Sequence, residues 1–262
     1  MYRKSETEYL KNTWKTISGK RYYFDEDGIM ATGLTKIGTS QYYFKDDGEL
    51  VIDSFVMIKG KYHYFKHNGE MVKGWVMIDD SWYLFSDEGV MQTGIKKTLD
   101  RETRKKYVTY YFGKDGSMRS SKFVHFPDGY RYFGKKGYML TGWVEHKNKW
   151  YYMNDNGIML TGWQTLGGNK YYFKKDGSMF TGWLRSGETY YYLRPSGIMV
   201  TGWEKIGSNW YYFGQDGKMC TYWEKIGKYW YYLGSDGAMR TGWKVINNKW
   251  YYFKDNGICA EG

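Results

Sequence analysis

Tryptophan and tyrosine recur in the second half of the chain at a fixed separation of seven residues, as in Trp203 and Trp210. These side chains supply no acid, base or nucleophile, but their π faces attract cations. Three ring faces around a small void would hold a cation that cannot form hydrogen bonds, such as a quaternary ammonium group. Each ring contributes about 0.5–2 kcal/mol, so one cage predicts weak binding and several predict tight binding to a repetitive polymer.

The aromatic pairs belong to a repeat of about 20 residues, which reads as one structural unit. Twelve positions carry the large apolar residue that marks each unit: Trp14, Leu34, Phe55, Trp75, Ile95, Phe123, Trp143, Trp163, Trp183, Trp203, Trp223 and Trp243. A Tyr- and Phe-rich segment follows each of them, and a turn signal such as Asp216-Gly217 closes the unit. Aromatic segments favour strands, and glycine supplies the positive φ of tight turns. Each unit is therefore predicted to form a β-hairpin.

Strand alternation assigns the side chains of one unit to two faces. A two-residue turn at residues 207–208 would pair Trp203 with Tyr212. Trp210 then shares their face, whereas Tyr211 lies on the other. A single 20-residue hairpin cannot bury both faces, so neighbouring hairpins must stack. The sequence predicts an all-β solenoid of about twelve stacked hairpins with almost no helix.

The regularity of the repeats divides the chain. Residues 1–13 are predicted to form an N-terminal cap, residues 14–122 hold degenerate repeats, and residues 123–262 hold regular ones. The degenerate part includes a charged insertion at 98–107, which we expect to interrupt hairpin stacking near Tyr111.

Composition limits the function classes. Lys and Arg number 39 against 28 Asp and Glu, which gives a net charge of +11. No apolar run approaches the roughly 18 residues of a transmembrane helix, so membrane insertion is not expected. The first residues show no apolar segment, so a signal peptide is expected to be absent or already removed. The charge favours acidic polymers, but lysines spread over the turns do not indicate nucleic-acid binding.

Residue patterns for catalysis and metal binding are not found. The repeat covers nearly all of the chain and leaves no room for a catalytic domain. On a strand and turn, the spacing of His63 and His67 does not aim both imidazoles at one metal. Cys220 and Cys259 occupy different repeat positions, and neither a disulfide nor a metal site is predicted. We therefore expect no catalytic residue, no metal and no cofactor.

The unit TGW-x6-WYY-x4-G-x-M resembles the cell-wall-binding repeats of Gram-positive bacteria and their phages, best known as choline-binding modules. Similar repeats occur in streptococcal glucan-binding proteins and in clostridial toxin C-termini, and the early units resemble the toxin type. The resemblance implies a left-handed superhelix of hairpins. It also implies choline sites between consecutive hairpins, lined by two aromatic residues of one unit, a tyrosine of the next and often Met or Leu.

Carried onto this chain, the resemblance implies five complete ligand sites. Their members are Trp75, Trp82 and Tyr111; Trp143, Trp150 and Tyr172; Trp183, Tyr190 and Tyr212; Trp203, Trp210 and Tyr232; and Trp223, Trp230 and Tyr252. Lys170 replaces the second ring after Trp163 and is expected to repel a cation. Arg21, Gln41 and Thr109 depart from the pattern at the same position of early units.

The first functional hypothesis is a non-catalytic module, secreted and associated with the cell surface or cell wall. It would bind choline groups of teichoic or lipoteichoic acid through several cages at once. Two alternatives remain open. One is an array that binds glucan or host glycan on the same rings. The other is a toxin-type module that binds a protein partner through the degenerate repeats and the insertion.

Overall fold

The computed structural model describes residues 3–5 and 8–260, and every element in this part of the chain is a β-strand. A short pair, β1 (Arg3–Ser5) and β2 (Glu8–Tyr9), precedes twelve hairpins. The hairpins are β3–β4 (Thr13–Ile17, Lys20–Phe24), β5–β6 (Gly33–Ile37, Ser40–Phe44), β7–β8 (Ser54–Ile58, Lys61–Phe65), β9–β10 (Gly74–Ile78, Ser81–Phe85), β11–β12 (Gly94–Leu99, Tyr107–Phe112), β13–β14 (Lys122–Phe126, Gly129–Phe133), β15–β16 (Gly142–His146, Lys149–Met153), β17–β18 (Gly162–Leu166, Asn169–Phe173), β19–β20 (Gly182–Ser186, Thr189–Leu193), β21–β22 (Gly202–Ile206, Asn209–Phe213), β23–β24 (Tyr222–Ile226, Tyr229–Leu233) and β25–β26 (Gly242–Ile246, Lys249–Phe253).

The all-β hairpin prediction is confirmed, and so is the register worked out for one unit. Trp203 pairs with Tyr212, and Lys205 pairs with Trp210. Gly207 has a φ of 63°, as a two-residue turn of this hand requires. In the described residues no helix is long and apolar enough to cross a membrane.

Most units of the repeat end in a methionine that joins two hairpins, and Leu50 and Cys259 stand at the same position of two units. Met219 forms an isolated β-bridge with Phe213 of its own hairpin. Its backbone N–H donates to the carbonyl of Tyr190 in the preceding hairpin, at 2.8 Å. The equivalent residue of every hairpin from the second, Leu50, to the last, Cys259, donates the same bond to the hairpin before it. Successive hairpins are thus tied by a main-chain hydrogen bond, which fixes how one hairpin lies on the next.

Buried side chains form a series along the hairpins instead of a single core. The last residue of each second strand is almost inaccessible: Phe24, Phe44, Phe65, Phe85, Phe112, Phe133, Met153, Phe173, Leu193, Phe213, Leu233 and Phe253. Beside this series the turn glycine of one hairpin meets the methionine of the hairpin before it. A Cβ on Gly217 would lie 2.4 Å from Met199 Sδ, and its φ is 85°. Glycine is required there both for the backbone conformation and for the close approach.

Two compact units make up the chain, one of Met1–Val124 with Tyr132–Met139 and one of His125–Arg131 with Leu140–Gly262. The boundary lies in the hairpin β13–β14. The division that we drew at residue 122 from repeat regularity stays a prediction.

The expectation that the insertion at 98–107 interrupts hairpin stacking was wrong. The strands β11 and β12 each run one residue longer than their counterparts, and Leu99 pairs with Tyr107. The extra residues leave the hairpin at its turn, beyond the part that stacks. The joining hydrogen bonds on either side, from Met118 to Trp82 and from Met139 to Thr109, both remain at 2.8 Å.

The buried His63 on β8 gives the fold a pH dependence. Its side chain is 7% exposed, and burial lowers its pKa below the usual 6.5. The unfolded chain therefore binds this proton more readily, so the stability due to neutral His63 is complete above about pH 6.5 and is lost below it. We expect the urea midpoint of the wild type to fall more steeply than that of His63→Gln between about pH 7.5 and about pH 5.5. Equal slopes for the two proteins would contradict this.

Candidate functional site

Aromatic clefts open between consecutive hairpins, and the one at Trp203 is representative. Its walls are Trp203 and Trp210 of one hairpin and Tyr231 and Met239 of the next. Trp203 and Tyr231 meet nearly edge to face, with ring centroids 5.0 Å apart and an interplanar angle of 63°. The cleft has a volume of about 350 Å³ and is open to solvent on the side of the half-exposed Trp210.

Backbone geometry positions these groups. Trp203 and Trp210 lie on adjacent strands and share one face of the hairpin because Lys205, two residues after Trp203, pairs with Trp210. The carbonyl of Trp210 accepts the joining hydrogen bond from Met239 at 2.8 Å. The residue that supplies the second ring therefore also fixes the methionine on the opposite side of the cleft.

The same arrangement recurs in the second compact unit. At Trp143 and Trp150 the centroids are 6.2 Å apart and the rings are almost perpendicular, at 82°. Trp223 and Trp230 repeat this at 6.3 Å and 84°. Two perpendicular faces with a tyrosine opposite them form three sides of a box. Such a box presents π electron density to a cation and offers few hydrogen-bonding groups.

The third wall is not the tyrosine that the sequence suggested. We expected Tyr111, Tyr172, Tyr212, Tyr232 and Tyr252, but the structure places the preceding residue at each cleft: Tyr110, Tyr171, Tyr211, Tyr231 and Tyr251, with centroids 4.8–5.1 Å from the first Trp. The physical reason is that consecutive hairpins meet through unlike faces. Tyr232 lies beside Trp223 of its own hairpin, at 5.3 Å, whereas Tyr231 points back toward the hairpin before it.

Two of the clefts are completed by a turn that lies two hairpins further along the chain than the first Trp. Asp255 and Asn256 border the cleft at Trp203, and Pro195 and Ser196 border the one at Trp143. Residues this far along the chain escaped the sequence analysis, since nothing in a single repeat indicates contact with the next repeat but one. The Asp255 carboxylate adds a negative charge beside the rings, which favours a cation there.

Sequence comparison assigns this architecture to a family. The model of the choline-binding repeat matches residues 11–55, 53–85, 160–201, 200–240 and 220–261, and a cell wall binding repeat model matches residues 141–159. The chain belongs to the choline-binding repeat family. Among curated proteins, none matches it.

Solved structures from Streptococcus pneumoniae share the fold of this choline-binding repeat chain. CbpJ is 33% identical with a TM-score of 0.70, over 88% of this chain and 94% of CbpJ. Choline binding protein F is 30% identical with a TM-score of 0.66, over 87% and 92% of the two chains. Its structure in the presence of a peptidoglycan analogue matches at 29% identity and a TM-score of 0.63, over 94% and 92%. The chain is thus a choline-binding repeat module of the cell-surface type.

Not every choline-binding repeat here carries an open aromatic cleft. At Trp163 the second wall is Lys170, as the sequence indicated, and the cleft is smaller at about 200 Å³. Gln164, Thr165 and Asp216 also line it, so polar groups lie beside the rings of Trp163 and Tyr191. The departures from the repeat pattern therefore change the chemistry of the cleft without removing it.

Cationic side chains of the chain itself lie at two clefts of the first compact unit. The Arg21 guanidinium lies 4.6 Å from the ring centroid of Trp14. The Arg101 guanidinium lies 4.1 Å from the ring of Trp82 and 5.9 Å from that of Trp75. At Trp183 the ring of Tyr211 lies 4.9 Å away, and the Arg185 guanidinium lies 5.9 Å from the ring centroid of Tyr190.

A cysteine replaces the methionine in the cleft of Trp223, Trp230 and Tyr251. Cys259 lines this cleft, and its N–H donates to the Trp230 carbonyl at 2.8 Å. Burial raises the pKa of the Cys259 thiol, and burial also raises that of Cys220 to about 11. Both cysteines are free, so Cys259 offers a chemical reporter at one cleft.

Proposed function

We propose that the clefts at Trp143, Trp203 and Trp223 bind the quaternary ammonium of choline, and that the polymer bearing it is a teichoic or lipoteichoic acid of the cell wall. The observation that carries the proposal is the contact between the first Trp and the tyrosine of the next hairpin, which recurs at 4.9–5.1 Å in all three clefts. At Trp143 and Trp223 a perpendicular second Trp at 6.2–6.3 Å adds another side. The cleft at Trp183 and Tyr190 has the same third wall and is included. The chain acts by binding, and the described residues are assigned no catalytic role.

The ligand chemistry follows from the cleft walls. A quaternary ammonium keeps its charge but has no hydrogen to donate, so rings can replace its water at little cost. Three rings at about 0.5–2 kcal/mol each correspond to a dissociation constant near millimolar. A phosphate-containing polymer would also gain from the net charge of +11.

Several weak sites on one chain together bind a choline-bearing polymer tightly. Once one choline group is bound, the next is presented at high effective concentration, and avidity exceeds a single affinity by about 10²–10⁴. The regular 20-residue repeat of Trp203 and Trp223 gives clefts at regular intervals, which suits a ligand that is itself periodic. Family membership implies cell-surface or cell-wall association, and we propose that the chain reaches that location by secretion.

The cleft at Trp163 favours a second ligand class, a sugar of the same wall or of another glycan. A pyranose can stack on Trp163 while Lys170, Gln164 and Asp216 offer donors and an acceptor. A positive charge at Lys170 disfavours choline there. The polar groups beside Trp163 are the feature that supports the glycan hypothesis as the second candidate.

A choline titration tests the proposal with two readouts. We expect saturable change in intrinsic tryptophan fluorescence at millimolar choline chloride and none with NaCl at equal ionic strength. We also expect choline to slow alkylation of Cys259 by N-ethylmaleimide, because the thiol lies in the cleft of Trp223.

Cys220 is the internal control, because it does not line that cleft, so choline bound there should leave its rate of alkylation unchanged. Equal alkylation of Cys259 with and without about 100 mM choline, together with unchanged fluorescence, would refute choline as the ligand.

A further inference from the structure

The cleft of Trp75, Trp82 and Tyr110 already holds a cation. The Arg101 guanidinium lies 4.1 Å from the ring centroid of Trp82, and its side chain is only 14% exposed. Trp75 and Trp82 are 6.3 Å apart at 78°, and Trp75 and Tyr110 are 4.8 Å apart, so the box has the dimensions of the open ones. We infer that this cleft is a guanidinium-binding site whose ligand is Arg101 of the same chain, and that it is therefore closed to external quaternary ammonium.

The insertion is built to deliver this side chain. The backbone N–H of Arg101 donates to the hydroxyl of Tyr110 at 2.9 Å, so the third wall itself holds the segment. The preceding Asp100 is buried, and its carboxylate accepts from the Thr103 backbone N–H at 2.6 Å and from the Tyr138 hydroxyl. Glu102 accepts from Lys136 at 2.6 Å. Contacts on both sides of Arg101 therefore fix where it points.

The guanidinium is held chiefly by the rings. Among the described residues its Nη1 is buried without a hydrogen-bond partner, and the one ion pair, Nη2 to Glu102, is long at 3.3 Å. A cation in this state exchanges water for π faces, as a quaternary ammonium would. Other cations in the insertion are exposed, including Arg104. Position and not charge alone selects Arg101.

This inference is independent of the proposed function, because the ligand is part of the chain. It corrects our expectation that Trp75 and Trp82 belong to a choline site. It also gives the insertion a role other than protein binding, since its best-packed cation faces inward.

The experiment follows tryptophan indole N–H signals by two-dimensional NMR during choline titration, with Trp82 assigned from the spectrum of Trp82→Phe. In the wild type we expect the signals of Trp150 and Trp210 to shift and that of Trp82 to stay. In Arg101→Ala the Trp82 signal should shift saturably at millimolar choline. The matched control Arg104→Ala removes the same charge from the same insertion and should leave Trp82 unresponsive.

A second ligand separates this inference from choline binding in general. Adding N-methylguanidinium to Arg101→Ala should move the Trp82 signal back toward its wild-type position, even if no cleft binds choline. A saturable shift of Trp82 in the wild type would overturn the inference without any variant. If the Trp150 and Trp210 signals of the wild type did not respond to choline, the proposed choline function would be refuted, but the assignment of Arg101 to its cleft would stand.

Discussion

Replacing Trp150, Trp210 and Trp230 with alanine should release the chain from a choline-bearing matrix. Each is the second ring of an aromatic cleft, and each remains 43–48% exposed. The first rings are poorer targets because they also pack on the fold. Trp143, for example, contacts Phe173 as well as Tyr171. Truncating the second rings removes one wall of each box with little cost to folding.

The expected loss is large because it compounds. One ring lost at one cleft weakens that cleft by about 0.5–2 kcal/mol, or roughly 2- to 30-fold. Losing a ring at three clefts also removes the gain from multiple attachment, which is about 10²–10⁴. The triple variant should elute in the wash where the wild type requires free choline, with elution measured on a choline-substituted column.

Trp250→Ala is the matched control. Trp250 occupies the same repeat position and is 69% exposed, but no further hairpin in the described residues supplies a third wall. This variant should be retained like the wild type. Retention of a folded triple variant, judged by far-UV circular dichroism and thermal midpoint, would contradict the assignment of these clefts.

Replacing Gly217 with alanine should destabilise the second compact unit by about 2–4 kcal/mol. The left-handed φ of 85° costs a Cβ residue about 1–2 kcal/mol. The new Cβ would also lie 2.4 Å from the Met199 side chain. Met199 cannot retreat freely, because it is buried and its N–H donates to the Lys170 carbonyl at 2.8 Å.

Gly168→Ala separates the two costs. Gly168 has a similar φ of 80°, but nothing lies within 4 Å of the position of its Cβ. We expect it to lose only the conformational part, about 1–2 kcal/mol. Urea denaturation of both variants gives the comparison. Equal losses would mean that the contact between glycine and methionine carries no packing constraint.

The hairpins could be read from the sequence because their determinants are local. The turn glycines, the aromatic strands and the spacing of Trp203 and Trp210 all lie within 20 residues. Register follows from turn length, which is why the pairing of Trp203 with Tyr212 was predictable. The methionine position was likewise visible as a repeated letter, although its bridging hydrogen bond was not.

The third wall was not predictable for a related reason. Alternation sorts side chains to two faces of one hairpin, but it does not say which face of the next hairpin comes opposite. That choice is made by the bond from Met239 N–H to the Trp210 carbonyl, which spans two repeats. It turns Tyr231, and not Tyr232, toward Trp203.

The presence of Arg101 in the cleft of Trp75 and Trp82 could not be predicted from the sequence. The insertion offers several cations, and composition does not distinguish Arg101 from Arg104. Only the fold of the loop, with Asp100 buried and Tyr110 bonded to the Arg101 backbone, selects one of them. Irregular segments lack the periodicity on which pattern arguments depend.

The joining hydrogen bond means that no repeat owns a ligand. Trp210 gives a ring and a carbonyl, while the neighbour returns a tyrosine and Met239, so a site exists only at a seam. A series of stacked hairpins has one seam fewer than it has hairpins, and the proposed sites lie at seams. One repeat alone would lack a complete cleft, whereas each further repeat of about 20 residues adds one more seam between hairpins.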